Sequence, residues 1–426
     1  MIPVPPRTVT PLTRVLSRGV PQGMPRDVVT MSAVAFCVAL GFGVVAPAIP
    51  LFAKQFGVSA AAAGAVVSAF ALLRLISGLG AGRLVDWLGE RLGLALGIAV
   101  VAVSSLLAGL SQSYDQLLVL RGIGGVGSAV FGVAAVSQVL RVAGKRMRGQ
   151  AMSVYRSGFL LGGIVGPAFG GAVLAISLRA PFFLYAGTLT LAGVVALVFL
   201  REQSPPSYDE EPATYGAAPA DEAEPTAPEP DTEPPAPEPT LASVLRTREY
   251  QAALTTNLAV GLAVFGMRST VVPLLIVHGL GEPDWWAGIA FLVSALVQTV
   301  LMLPVGRWTD TVGRRPMLLV GALVSAAGLV LLGYGGSLWL VMVAMCVFGA
   351  GSAFLGTVPG ALVGDVAGRR SGTVVAVFNM ASDLGAVIGP VLAGWLVDQG
   401  SYGAAFGLGA GVVAVAGLLG LRLPRR

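Results

Sequence analysis

Residues 82–91 read Gly82-Arg83-Leu84-Val85-Asp86-Trp87-Leu88-Gly89-Glu90-Arg91, and residues 306–315 read Gly306-Arg307-Trp308-Thr309-Asp310-Thr311-Val312-Gly313-Arg314-Arg315. Gly82, Asp86, Gly89 and Arg91 thus recur as Gly306, Asp310, Gly313 and Arg315, 224 positions further on. The register extends in both directions at an offset of 223 or 224. Phe42, Gly43 and Pro50 map onto Phe265, Gly266 and Pro273; Gly125, Gly127, Ser128 and Ala129 map onto Gly349, Gly351, Ser352 and Ala353; Gly162, Gly166 and Pro167 map onto Gly385, Gly389 and Pro390. One such match is within reach of chance, but four in register mark a duplicated unit.

The material between these landmarks is apolar. With 426 residues, 55% hydrophobic and only 12% charged, the chain does not suit a water-soluble globule. Apolar runs of about 20 residues, the length that crosses the hydrocarbon of a bilayer, fall at 29–52, 60–81, 92–111, 116–140, 150–176 and 181–200, and again at 251–277, 285–305, 316–335, 338–363, 373–397 and 403–422. The expected fold is therefore an all-α membrane protein of twelve transmembrane helices. Two six-helix bundles, 29–200 and 250–426 with its short basic tail, are related by a parallel repeat, because an even number of crossings returns each half to the same orientation. The first run starts near Met31 and is followed by many of equal length, so it reads as a retained helix and not as a cleaved leader.

Residues 1–28 form an N-terminal tail, and 201–249 are a linker with eleven prolines and the acids Asp209, Glu210, Glu211, Asp221, Glu222, Glu224 and Glu229. Such a composition cannot bury enough apolar surface to offset its ordering entropy, and a disordered tether is expected. Basic residues fall in the tails, in the linker and in every second loop, including Arg83, Arg91, Arg141, Arg148, Arg307, Arg314 and Arg315, while the opposite loops carry only Lys54 and Arg179. The positive-inside rule then places both termini in the cytoplasm of a bacterial inner-membrane, multi-pass protein. Trp285, Trp286, Trp339, Tyr114 and Tyr334 fall at the outer span ends, where amphipathic rings belong. The net charge of +5 is spread over short loops, which argues against nucleic acid as a partner. Cys37 and Cys346 are isolated in apolar runs, and His278 stands alone in an expected outer loop, so neither a disulfide nor a metal site is read.

On these residues the chain resembles the major facilitator superfamily, and within it the twelve-span drug:proton antiporters. The stretches 82–91 and 306–315 match the family's loops between helices 2 and 3 and between helices 8 and 9. Arg121 followed by Gly125 and Ala129 is similar to its helix 4 motif. Gly162-Gly163-Ile164-Val165-Gly166-Pro167-Ala168-Phe169-Gly170-Gly171 matches the G-x-x-x-G-P-x-x-G-G pattern of helix 5 in the antiporters. The resemblance implies that Gly82, Asp86, Gly89, Arg91 and their repeats gate the cytoplasmic ends, Asp86 latching the halves in one state. The loop glycines suit a tight turn. In helix 5, small residues four apart allow close backbone approach, and Pro167 removes one helical hydrogen bond, which suits a helix at the seam between halves.

An ionisable side chain inside a membrane is costly enough to be a functional hypothesis by default. Five are expected here, each replacing a neutral residue of the other half: Asp383 against Leu160, Arg156 against Asn379, Arg74 against Gln298, Arg121 against Met345 and Arg268 against Val45. Asp383 is the only carboxylate at depth and is the expected proton carrier, with Arg121 and Arg268 as coupling partners. The alternative is a static ion pair between Asp383 and Arg268. Arg74, Arg156, Asn379 and Gln298 are expected at the substrate cavity, though Arg74 and Arg156 are long enough to snorkel to the cytoplasmic surface. If all four arginines face the cavity, the site is net positive and a substrate with a negative group fits best. Antiporters of this kind often carry their acid in helix 1 or helix 4, where this chain has only Asp115 at the outer mouth.

The expected function is proton-coupled export of a small amphiphilic or drug-like molecule by alternating access, by a monomer in contact with membrane lipids, with no cofactor beyond the proton gradient. The alternatives are an importer or a lipid or anionic-metabolite transporter of the same fold, or a receptor or scaffold without transport. An enzyme is not expected: the chain has no H-E-x-x-H, no second buried acid for a dyad, and no G-x-x-x-x-G-K-[ST] loop.

Overall fold

The computed structural model describes residues 24–200, 241–367 and 371–423; most of the expected tail and linker lie outside these. Among the described residues twelve helices are long and apolar enough to span a membrane: α1 (Arg26–Lys54), α2 (Ala60–Leu88), α3 (Glu90–Leu110), α4 (Tyr114–Val142), α5 (Met147–Leu174), α6 (Ala180–Phe199), α7 (Arg248–Gly279), α8 (Trp285–Thr311), α9 (Arg314–Gly333), α10 (Leu338–Val366), α11 (Thr373–Asp398) and α12 (Tyr402–Arg422). No strand occurs among the described residues. Lipid offers the backbone no hydrogen-bond partner, and a helix satisfies its groups internally. The buried apolar residues form one main core in each half, α1–α6 and α7–α12, with Leu51 and Ala60 of the first half packed into the second core and a small separate cluster of Val305, Ala353 and Phe354.

Where the helices end differs from expectation at the repeated stretch. The expected loops 82–91 and 306–315 are mostly helical: α2 runs to Leu88 and α8 to Thr311. Gly82 and Gly306 sit inside these helices, and only Gly89 (φ +79°) and Gly313 (φ +104°) take the left-handed backbone that makes the turn. Arg83, Asp86, Arg307 and Asp310 end the apolar run but not the helix, which continues past the hydrocarbon into a polar layer. This end of the molecule, the motif end, lies opposite the far end, which carries 55–59, 280–284 and 399–401.

Within each half the same pair of helices packs most closely. A β-carbon built on Gly162 or Gly166 of α5 would collide with the carbonyls of Phe36 and Leu40 in α1, and one on Gly385 or Gly389 of α11 would collide with those of Leu258 and Leu262 in α7. Small residues four apart thus form one zip per bundle. The two partners differ: α1 is interrupted at Ala46–Pro47, whereas α7 carries π-helical turns at Gly261–Arg268 and Leu275–Gly279. His278 lies in the last of these turns, at the end of α7 and not in a loop. Ahead of α7, Leu241–Leu245 forms a helical turn with Val244 buried against the second core, and Thr247 caps α7 at the Tyr250 amide.

Candidate functional site

The bundles meet along α2 with α11 and along α5 with α8, and their contacts are sorted by depth. At the far end the Asp398 carboxylate, closing α11, accepts hydrogen bonds from the amides of Ala60 (2.7 Å) and Ala61 (2.8 Å) at the start of α2. Ser59 accepts from the Ala62 amide at the same terminus. Three of the orphan donors of α2 are therefore satisfied, two of them by the opposite bundle. One level deeper the Ser68 hydroxyl donates to the Val387 carbonyl at 2.6 Å. On the other side of the seam, β-carbons built on Gly288 of α8 and on Gly171 of α5 would meet the opposite backbone, Gly171 lying 3.1 Å from the Trp285 carbonyl by that measure. Gly171 is thus the member of the helix 5 motif that faces the other bundle, while Gly162 and Gly166 face α1.

The deepest link is ionic. Arg74 of α2 and Asp383 of α11 approach to 3.1 Å, N to O, near the middle of both helices. Their side chains are 45% and 20% exposed, so the pair borders an open space and is not sealed in a core. This geometry sets aside two alternatives. Asp383 is not paired with Arg268, and Arg74 does not snorkel away, because α2 and α11 cross at this level while Arg268 turns to its own bundle. Toward the motif end no cross-bundle hydrogen bond or ion pair occurs among the described residues. There β-carbons on Gly78, Gly80, Gly82 and Gly306 would meet nothing within 4 Å.

The two remaining guanidiniums of these spans are arranged alike, one per bundle, Arg121 buried and Arg268 half-buried. Arg121 of α4 is 3% exposed and lies over the Phe70 ring at 4.6 Å. Arg268 of α7 lies over the Phe291 ring at 5.0 Å. The Nε of each is enclosed and has no hydrogen-bond partner, and neither forms an ion pair with a described carboxylate. Gly125, one turn beyond Arg121, has no room for a β-carbon against the Phe70 carbonyl, which is why α2 and α4 come close enough for the ring contact. Tyr185 of α6 is buried within electrostatic range of both Arg121 and Arg74. Arg156 and Asn379 are exposed in the motif-end halves of α5 and α11, and Gln298 is half-buried in α8.

At the motif end Asp86 and Asp310 are exposed and form no ion pair with another described residue. Arg91 instead donates to the Leu197 carbonyl at the end of α6, and Arg315 to the Leu423 carbonyl after α12 at 3.4 Å, so the repeated arginines tie down equivalent helix ends. Sequence reasoning missed Asp398, Ser68, Phe70 and Phe291. Asp398 stood in the sequence as an acid at a far-side helix end, but its partner lies more than 300 positions away and no local pattern names it.

A twelve-helix membrane protein whose two bundles close on one side of a charged, mid-depth site and part on the other is a membrane transporter and not an enzyme. The chain belongs to the Major Facilitator Superfamily, whose family model matches residues 31–298 and 286–426. It is 25% identical over 370 residues to Multidrug resistance protein 2 of Bacillus subtilis (strain 168), covering 85% of this chain and 86% of that protein. It is 30% identical over 172 residues to the Quinolone resistance protein NorA of Staphylococcus aureus, covering 39% of this chain and 43% of that one. Its fold is shared with a bacterial homolog of the human lysosomal transporter Spinster in an inward-facing, unoccupied conformation (TM-score 0.68, 17% identity, 92% of this chain and 94% of that one). A POT family transporter in complex with 5-aminolevulinic acid also shares it (TM-score 0.72, 13% identity, 95% and 98%).

Proposed function

We propose that this transporter exports small amphiphilic molecules from a bacterial cell in exchange for protons, with the motif end in the cytoplasm. The observation that carries the reading is the Arg74 to Asp383 pair, an ion pair that joins the two bundles and forms the deepest link of the closed side. The drug-resistance relatives support export, and the basic loops at the motif end support its cytoplasmic placement.

Asp383 is charged while Arg74 is in contact, and the cavity beyond it opens to the motif end: this is the state that takes up substrate from the cytoplasm. Rocking the bundles to open the far end separates α2 from α11. A carboxylate stripped of its counter-charge at this depth either stays unpaired at high cost or binds a proton, now from outside. The neutral acid lets the bundles return, and re-forming the pair releases the proton inward.

Reconstitution into liposomes with an entrapped pH dye tests the scheme. Wild-type protein is expected to alkalinise the lumen when substrate is added outside, in either orientation, because each substrate molecule that enters is exchanged for protons that leave, and Asp383→Asn to move no protons. Proton movement of normal rate in Asp383→Asn removes Asp383 from the cycle. Uptake of substrate in place of extrusion, in energised vesicles, reverses the direction assigned here.

A further inference from the structure

The charges at the site do not balance. Arg74 is met by Asp383, but Arg121 is 97% withdrawn from solvent with an enclosed, unbonded Nε and no carboxylate among the described residues. Its partners are the Phe70 ring and, nearby, Tyr185. A cation over a ring recovers only part of what an uncompensated buried charge costs. Arg268 repeats the arrangement over Phe291 in the other bundle, so the shortfall occurs on both sides of the seam. The corresponding residues of the repeat are Met345 and Val45, which pack without any charge. A plain packing role therefore does not require a guanidinium at either place.

We infer that Arg121 is an anion subsite, and that the substrate is an amphiphile carrying a carboxylate, sulfonate or phosphate group beside a flat apolar body. This deepens the proposed function and rests on it. Arg121 supplies a preorganised donor set on its ring platform, Tyr185 supplies a phenol, and the Phe42 ring, edge-on to Tyr185 at 6.5 Å, extends the apolar wall. Because Arg74 is already engaged, the anion binds without displacing Asp383, and substrate and proton keep separate partners. A cationic drug would instead add a positive charge beside two guanidiniums whose only described counter-ion is Asp383.

The test uses two probes of one shape and opposite charge, 1-pyrenesulfonate and 1-pyrenemethylammonium, titrated onto the purified full chain in phosphatidylcholine nanodiscs. Wild type is expected to bind the sulfonate tighter, and Arg121→Gln to weaken the sulfonate alone by about 10- to 100-fold, the size of a charge-assisted hydrogen bond. Arg121→Lys is expected to recover part of that loss. Arg121→Gln should melt no lower than wild type, since it removes a buried unpaired charge. Equal loss of both probes in Arg121→Gln, or tighter binding of the ammonium by wild type, overturns the anion subsite. Either result leaves the proton cycle standing, because that is read separately through Asp383→Asn. The wild-type comparison holds even if the variant misfolds. Repeating the titration with phosphatidylglycerol in the disc separates the two sources of such a group: competition identifies a lipid headgroup as occupant, and its lack a soluble amphiphile, both consistent with the subsite.

Discussion

Glu90, the first residue of α3, pairs with Arg141 near the end of α4, and the equivalent positions of the second half pair with their charges exchanged, as Arg314 and Asp365. The two pairs are 224 residues apart in register, and Glu90 and Arg314 each directly follow the glycine that makes a motif-end turn. What the duplication preserved is the contact and not the sign.

Exchanging the charges in the first half, Glu90→Arg with Arg141→Glu, should therefore be tolerated. Either single change leaves two like charges in contact. The pair is partly exposed, so each single variant is expected to lower the melting temperature by only about 1–3 °C. The double variant should return to the wild-type value in a detergent melting curve. A double variant no better than the singles would mean that the surroundings, and not the pair, fix the sign.

Asp398 ties the bundles together by capping α2 from the opposite half. Loss of a cap costs about 0.5–2 kcal/mol, and here the loss falls on one conformation only, the one closed at the far end. Asp398→Ala should thus raise the population open at the far end by roughly 2- to 30-fold. A cysteine at Ser68, beneath the cap, in a background lacking Cys37 and Cys346, reports it: labelling by a membrane-impermeant maleimide from the far side should accelerate by that factor. Unchanged labelling would show that the cap contributes nothing to closure.

Two kinds of glycine in the repeated stretch should separate by substitution. Gly89 holds φ +79°, where a β-carbon is strained, and Gly89→Ala is expected to destabilise the protein by about 1 kcal/mol or more. Gly82 is helical with open space around its would-be β-carbon, and Gly82→Ala should leave stability unchanged or slightly raised. Transport by Gly82→Ala should nevertheless slow, because the motif ends must approach when the far end opens. Full transport with full stability would assign Gly82 no part in the cycle.

The duplicated bundles, all twelve spans and the zip glycines were legible in the sequence because each rests on a local or periodic signal: hydrocarbon-length apolar runs, and small residues four apart. The identity of the mid-depth charges was legible for the same reason, since Asp383 interrupts an apolar run. Their partners were not. That Asp383 meets Arg74 of α2 and not Arg268 of its own half depends on how two helices from different bundles cross, which no local pattern reports. The extent of α2 was misjudged because hydropathy reports where lipid ends, whereas Asp86 and Trp87 continue the helix beyond it.

That choice of partner makes a further exchange informative. In Arg74→Asp with Asp383→Arg, the cross-bundle ion pair can re-form, but the carboxylate moves from α11 to α2. If the pair serves only to hold the bundles in register, both single variants should lose thermal stability or far-end closure, and the double variant should recover both closure and substrate-driven proton movement. If the acid must also stand on α11, with the accessibility it has there, the double variant should recover closure by the Ser68 cysteine assay but carry no proton in liposomes. The second outcome is expected, because position 74 lies one helical turn from Phe70, whose ring carries the buried Arg121 guanidinium, and a carboxylate placed there would be held charged by that cation. Recovery of proton movement together with closure would instead reduce the pair to a clasp and return the search for the proton carrier to the rest of the cavity.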